Sequence, residues 1–332
     1  MENPVLAEVL RGALVESRHR GAAAVIDADG AVVLSLGDID RPVFPRSAVK
    51  AIQALPLIES GAADRYRLSD AEIALAVASH SGEPAHAEAS LAMLGKAGRD
   101  ADCLECGTQW PMNEAAARAI AKAGREPSAL TNNCSGKHAG FVCLACGLDE
   151  DPAGYVKAGH AVQQAVRDAL ESVTGAAHSA EAMGVDGCSI PTYAVPLRSL
   201  ALGFARFGMG HGFGAERAKA AARIRRAVAA HPFMVAGAGR FDTRAMEVLG
   251  ARAFIKTGAE GVYCGALPEL GLGIALKCDD GAGRAAEVAM AALVARFLPM
   301  SEAEQNGFAP LRENVLRNWN GIEVGLVRAA RA

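Results

Sequence analysis

The C-terminal third contains the stretch Ala253-Phe254-Ile255-Lys256-Thr257-Gly258-Ala259-Glu260-Gly261-Val262-Tyr263-Cys264-Gly265-Ala266-Leu267-Pro268-Glu269-Leu270-Gly271-Leu272-Gly273-Ile274-Ala275-Leu276-Lys277-Cys278-Asp279. Its apolar runs, Ala253–Lys256, Gly261–Ala266 and Gly271–Asp279, are short and separated by Gly and Pro turns. They predict successive hairpin-linked strands rather than helix. The turn Asp280-Gly281 leads into Arg284–Phe297, whose apolar spacing predicts a helix. Near the other end, Ala22–Leu36 predicts two strands joined by Asp27-Ala28-Asp29-Gly30. Between these ends the pattern is helical, at about 47–59, 70–78, 84–97, 113–124, 153–174, 215–229 and 243–250. Gly-rich punctuation falls at 184–187 and 208–214. Strands at both ends and helices between them predict an α/β fold in one unit, residues 1–332. Its sheet is built from both chain ends, with a helical region over about 45–230.

Composition excludes several classes. With 34 Lys+Arg against 37 Asp+Glu, the net charge of −3 offers no basic surface for nucleic acid or an acidic membrane. No apolar run approaches the ~18 residues that span a bilayer. Glu2, Glu8, Arg11 and Glu16 interrupt the apolar pattern at the start, so a cytoplasmic location is expected. Reduced thiols follow from that location, so the eight Cys predict no disulfide framework. Cys103–Cys106 and Cys143–Cys146 have CxxC spacing but lie too far apart for a zinc ribbon. The second pair sits in an apolar run and reads as core.

Only 8 of the 34 basic residues are Lys. Arg is fixed in its charge, whereas burial can tune Lys into a base or a ligand, so the position of each Lys is informative. Ser47-Ala48-Val49-Lys50 is a Ser-x-x-Lys motif at a predicted helix start, with both side chains on one face. A Lys beside Ser can take the hydroxyl proton. Chance alone gives about 0.4 such pairs in this composition, so the motif is weak by itself. Lys256-Thr257-Gly258 ends a predicted strand and has a chance expectation of about 0.02. Ser-x-x-Lys early and Lys-Thr-Gly late is the order found in serine penicillin-recognising enzymes. Their middle motif, Ser-Asp-Asn, is missing, and Ser79-His80-Ser81-Gly82 is the best substitute. In this reading Ser79 pairs with Lys256. A further polar stretch, Thr131 to His138, carries Cys134, Lys137 and His138 before an apolar helix, and Asp186-Gly187-Cys188 is a second polar turn with a thiol. Two Cys and a third donor can hold zinc, but spacing alone does not establish it, since the two parts lie more than 45 residues apart, and two ordinary turns with partly buried thiols are the plainer reading.

The motifs Phe44–Lys50, Ala78–Glu83, Asn133–His138, Val185–Cys188, Met234–Gly237 and Lys256–Gly261 occur in the order of a known family. From about residue 5 to 325 the sequence resembles the rhizobial-type, or class 3, L-asparaginases. The resemblance implies a β-lactamase/transpeptidase-like fold, shared with Ser-Lys glutaminases, and a homodimer. It implies hydrolysis of L-asparagine to L-aspartate and ammonia by two Ser–Lys tandems, Ser47 with Lys50 and Ser79 with Lys256. It also implies zinc on Cys134, Lys137 and Cys188, with Arg46, His80 and His138 lining the substrate pocket and Asp186 either supporting the metal site or touching the substrate amino group. The competing readings are a glutaminase, a β-lactam-reactive enzyme, or a zinc-dependent amino-acid sensor without turnover.

Overall fold

A computed structural model describes residues 2–330. The chain divides into two compact units. The first comprises residues up to Ala48, Ala194–His211, and Ala245 onward. The second comprises Val49–Tyr193 and Gly212–Arg244.

The first unit is built on an antiparallel sheet. Its strands are β1 (Val5–Arg11), β2 (Leu14–Asp27), β3 (Val32–Leu36), β4 (Phe254–Gly258), β5 (Val262–Leu267), β6 (Leu272–Cys278), β7 (Glu313–Arg317) and β8 (Glu323–Ala329). The order across the sheet is β7-β8-β1-β2-β6-β5-β4, with β3 also on β2. The α/β class and a sheet drawn from both chain ends are as the sequence predicts. The C-terminal strands β4, β5 and β6 fall within a few residues of their expected places. The expected β2–β3 turn forms around Asp27, whose Oδ1 accepts the Asp29 and Ala31 N–H groups at 3.0 and 2.8 Å. Strands β1, β7 and β8 have no counterpart in the sequence reading. β2 is long because it does two jobs: residues 14–20 pair with β1 and residues 21–27 with β6.

Two helices cover the sheet. Adjacent residues of a strand face opposite sides, and Ala266 meets Gly208 of helix Leu197–Met209 while Gly265 meets Met290 of helix Gly283–Phe297. The helices therefore lie on opposite faces. Helix Leu197–Met209 is a correction to the sequence reading, which placed only Gly-rich punctuation at its end. Its approach to the sheet is close: a Cβ on Gly273 would stand 1.9 Å from the Ala201 carbonyl oxygen and 2.3 Å from the Ala205 nitrogen. Backbone cannot yield as a side-chain tip does. Gly273→Ala is accordingly expected to cost about 3 kcal/mol, at the top of the usual overpacking range, read as a melting temperature lowered by roughly 6 °C or more. An unchanged melting temperature would show that the helix can lift without loss.

The second unit packs helices around Ser135–Gly147, of which residues 135–145 are all buried. Gly136 lets this helix touch Asp70–Ala76, since a Cβ there would stand 2.5 Å from the Leu75 oxygen. The helix 70–76 starts at a capping box, with the Ser69 N–H donating to Glu72 Oε2 at 2.6 Å. Two expected helices are corrected. The stretch 47–59 is broken into a 3-10 turn, Arg46–Val49, and short helices Lys50–Gln53 and Leu55–Glu59. Arg46 enters at φ 51°, outside the helical region, and Pro56 removes a donor from the next turn. The stretch 153–174 becomes helical only at Ala161, where the His160 side chain caps it by accepting the Val162 N–H. Among the described residues no helix is long and apolar enough to cross a membrane.

Candidate active site

The second unit gathers most of the singled-out residues around one amine. Lys50 is the first residue of helix Lys50–Gln53 and is 1% exposed. Its Nζ donates to the Ala78 carbonyl oxygen at 2.5 Å, to Ser79 Oγ at 2.9 Å and to Cys134 Sγ at 3.1 Å. Such a cluster needs a rigid Ser79, and the backbone supplies it. The Ser79 N–H donates to the Val235 oxygen, the His80 N–H to the Asn133 oxygen, and the Asn113 N–H to the Ser81 oxygen. Three separate segments therefore hold the stretch 79–81 just after helix 70–76 ends. Lys50, the residue that the sequence reading pairs with Ser47, thus also reaches Ser79.

Beside Lys50 lie two thiols and a second amine. Cys134 is the N-cap residue of helix Ser135–Gly147, Lys137 lies on its first turn, and Cys188 follows the turn at Asp186. All three are buried. Lys137 Nζ is 2.9 Å from Cys188 Sγ. The Cys188 thiol hydrogen-bonds to Cys134 and, with Lys50 close by, holds the Cys134 thiol well below its ordinary range despite burial. Cys188, giving that hydrogen bond and buried, is pushed up. Burial disfavours charge on Lys137, but the neighbouring Cys188 and Cys134 sulfurs outweigh it and raise its pKa. Two sulfurs and a nitrogen thus converge, a donor set suited to zinc. Among the described residues no three His, Cys, Asp or Glu side chains gather as a metal cluster. A metal here would need the Lys137 nitrogen as its third protein donor.

His80 and His138 are both fully buried. His80 Nδ1 accepts the Gly82 N–H at 3.1 Å, so its Nε2 carries the proton toward Ser135 Oγ at 2.9 Å. Its ring also stacks on His86, centroids 4.6 Å apart. His138 Nδ1 is 2.7 Å from the Tyr155 hydroxyl, which itself accepts the Glu105 N–H. Burial, with Lys137 and Lys50 adding repulsion, lowers the His138 pKa far below its ordinary value, so the ring is neutral. Its Nε2 is buried without a hydrogen-bond partner, which leaves one nitrogen able to serve a ligand. Tyr155 lies in the stretch that the sequence predicts as helix and the structure leaves irregular, and nothing local marks it as a partner for His138. Asp186 is half-buried and its Oδ1 accepts the Gly187 N–H at 2.6 Å. Of the CxxC pairs, Cys143 is core as expected, and burial pushes its thiol up to about 12.

The first unit carries Ser47 and Lys256. Ser47 and Arg46 are half-buried in the 3-10 turn. Lys256 is fully buried on β4, with Nζ 2.9 Å from the Thr257 oxygen. Gly258 explains the last letter of Lys-Thr-Gly: a Cβ there would stand 2.6 Å from the Pro45 oxygen and 3.2 Å from the Ala48 nitrogen. Only glycine lets β4 lie directly against the segment that bears Ser47.

No curated protein matches the chain. Among solved structures it is similar to Mglu, at 16% identity over 84% of this chain and 67% of that one, with a TM-score of 0.37. A second Mglu structure, in its L-glutamate binding form, gives 18% identity over 84% and 59%, with a TM-score of 0.38, so the chain spans under two thirds of that protein. D-alanine carboxypeptidase AmpC from Burkholderia cenocepacia gives 14% identity over 84% and 93%, with a TM-score of 0.42. At such scores these likenesses bear on neither substrate nor partner. The serines, lysines and thiols placed above all fall inside residues 7–329, which match the family model described as L-asparaginase II, and the chain belongs to that family.

Proposed function

We propose that the protein hydrolyses L-asparagine to L-aspartate and ammonia through a Ser–Lys nucleophile, with zinc held by Cys134, Lys137 and Cys188. Family membership supports an amidohydrolase. The observation that carries the chemistry is the fully buried Lys50 amine, 2.9 Å from Ser79 Oγ in an otherwise tightly packed interior. Burying an amine away from water is costly and such groups cluster at functional sites, and Lys50 in its neutral form can serve as a base.

In this reading Ser47 attacks the side-chain amide carbon and Lys50 takes the hydroxyl proton. Backbone N–H groups at the 3-10 turn stabilise the tetrahedral oxyanion. Ser79 and Lys256 relay a proton to the amide nitrogen, which leaves as ammonia. Water then attacks the acyl carbon, its proton returning through Ser79 to Lys256, and Ser47 departs with the proton held by Lys50. Arg46 and Asp186 offer opposite charges for the substrate carboxylate and ammonium groups, and His138 Nε2 offers one neutral hydrogen bond. Zinc, when bound, supplies positive charge that keeps the two sulfurs as thiolates and orients polar groups of the substrate. Lys137 must bind as a free amine, so metal loading competes with its proton.

Ammonia release from L-asparagine and from L-glutamine, measured on the same preparation, tests the substrate. Preference for asparagine is expected, and a preference for glutamine would replace this reading with a glutaminase. Zinc is expected at one per chain by elemental analysis. Cys188→Ser should weaken its affinity by more than the roughly 10–100-fold that loss of an outer hydrogen-bond partner costs. Unchanged zinc content in that variant would remove Cys188 from the ligand set.

A further inference from the structure

We infer that His80 is a positioning residue: with Ser135 it forms a clamp that fixes Ser79 and Cys134 on either side of the Lys50 amine. The inference rests on the reading that Lys50 and Ser79 take part in amide hydrolysis. Lys50 Nζ donates to Ser79 Oγ at 2.9 Å and to Cys134 Sγ at 3.1 Å. The residues that follow these two acceptors are tied to each other. His80 Nε2 lies 2.9 Å from Ser135 Oγ, and the His80 N–H donates to the Asn133 oxygen at 3.1 Å. The direction of the ring bond is fixed. His80 Nδ1 accepts the Gly82 N–H, so Nε2 carries the proton of a neutral ring and donates to the hydroxyl. Gly82 turns back toward the ring at φ 75°, where a Cβ would stand 2.8 Å from the Thr131 oxygen, so only glycine serves.

The surroundings hold the ring in place. His86 and Ser90 lie four residues apart on helix Pro84–Lys96 and so share a face. His86 stacks on the His80 ring with the two planes within 5° of parallel. It also stacks on Phe233, and its Nε2 donates to the Phe233 oxygen at 3.1 Å. Two residues further on, the Val235 oxygen accepts the Ser79 N–H at 2.9 Å, so the stack supports Ser79 from a second segment. Ser90 Oγ is 2.9 Å from Ser135 Oγ, so the hydroxyl that receives the His80 hydrogen bond is itself held. His80, Ser90 and Ser135 are all fully buried. In such a dry network each lost partner leaves a polar group unpaired. With both ring nitrogens engaged and no exposed surface, His80 is built to hold its neighbours and not to meet substrate. A shift of 1 Å among reacting groups can cost about 10²-fold in rate, which is the scale on which such a clamp acts.

Kinetics on the full-length protein test this, using whichever of L-asparagine and L-glutamine it hydrolyses faster. His80→Leu keeps bulk and removes both ring nitrogens. Ser135→Ala removes one hydroxyl and is the milder probe of the same link. Each is expected to lower kcat by roughly 10–100-fold and to leave KM within about twofold of the original. The double variant should be no slower than the slower single one, because both break one link. His80→Gln, whose side-chain amide nitrogen reaches the place of Nε2, should restore most of the kcat lost in His80→Leu. A raised KM with unchanged kcat, additive losses in the double variant, or a Gln variant no better than Leu would each overturn the inference. Nitrogen NMR of the histidine-labelled protein reads the clamp apart from turnover. His80, identified by the signal missing in His80→Gln, is expected in the Nε2–H form, and Ser135→Ala should displace that signal. An Nδ1–H ring, or a signal that Ser135→Ala leaves unmoved, would overturn the clamp. A protein that hydrolyses neither amide would sink the proposed chemistry and leave the ring spectrum to decide the clamp, so the two readings fail separately.

Discussion

Ser47→Ala is expected to reduce asparagine turnover by roughly 10⁴-fold or more while leaving the protein folded. Removing a nucleophile eliminates the covalent route, and the residual rate comes from binding and oxyanion stabilisation alone. The fold should tolerate the change because Ser47 is half-buried in a turn and its replacement creates no cavity larger than one oxygen. A melting temperature within about 2 °C of the original checks this. The comparison that gives the result meaning is Ser79→Ala. Ser79 sits 2.9 Å from the Lys50 amine and so has an activating partner of its own. With Ser47 as nucleophile, Ser79→Ala should slow turnover by about 10²–10⁴-fold, the usual contribution of proton transfer, yet still accumulate acyl-enzyme. Trapping the intermediate and mapping the acylated peptide decides between them. Acylation at Ser79, or turnover that survives in Ser47→Ala, would move the nucleophile out of the 3-10 turn.

The parts of the fold that sequence discloses are those fixed by local chemistry. β4, β5 and β6 are bounded by Gly and Pro turns and filled with apolar residues, so each was legible alone. β7 and β8 were not, because Glu313–Arg317 is largely polar and becomes strand only through β8 and β1, which lie far apart in sequence. Helix Leu197–Met209 contains Gly203 and Gly208, which read locally as breakers. Gly208 is tolerated because it lies against Ala266 of the sheet, an environment no window of sequence contains. The candidate site was more legible than its frame. Lys50, Lys137 and Lys256 were singled out as tunable amines, and all three rank among the largest fully buried side chains. Of the other five, Lys96, Lys122, Lys157 and Lys219 are exposed and Lys277 is half-buried. Partners were harder to foresee: the Ala78 carbonyl on Lys50 and the Tyr155 hydroxyl on His138 depend on chain crossings that carry no local signal.

Lys50 is the residue at which charge and proton transfer can be told apart. Its amine is held by three acceptors, the Ala78 oxygen, Ser79 Oγ and Cys134 Sγ, so it cannot swing away without breaking all three contacts. Lys50→Met keeps the stem and removes the amine. Turnover is expected to fall by roughly 10⁴-fold or more. Stability should change by less than the activity suggests: the acceptors left unpaired cost about 1–3 kcal/mol, but a polar amine no longer has to be kept out of water. Lys50→Arg keeps a positive charge but cannot give up a proton near neutral pH. If Lys50 acts only by its charge, the Arg variant should recover much of the activity lost in the Met variant. If Lys50 must take the serine proton, both variants should be equally inactive, which is the outcome expected here. Zinc content separates chemistry from collapse. Lys50 is not among the proposed donors, so both variants should bind zinc one to one with the chain. An inactive variant that has also lost its zinc would instead place Lys50 among the supports of the thiol pair, acting through Cys134 rather than on the substrate.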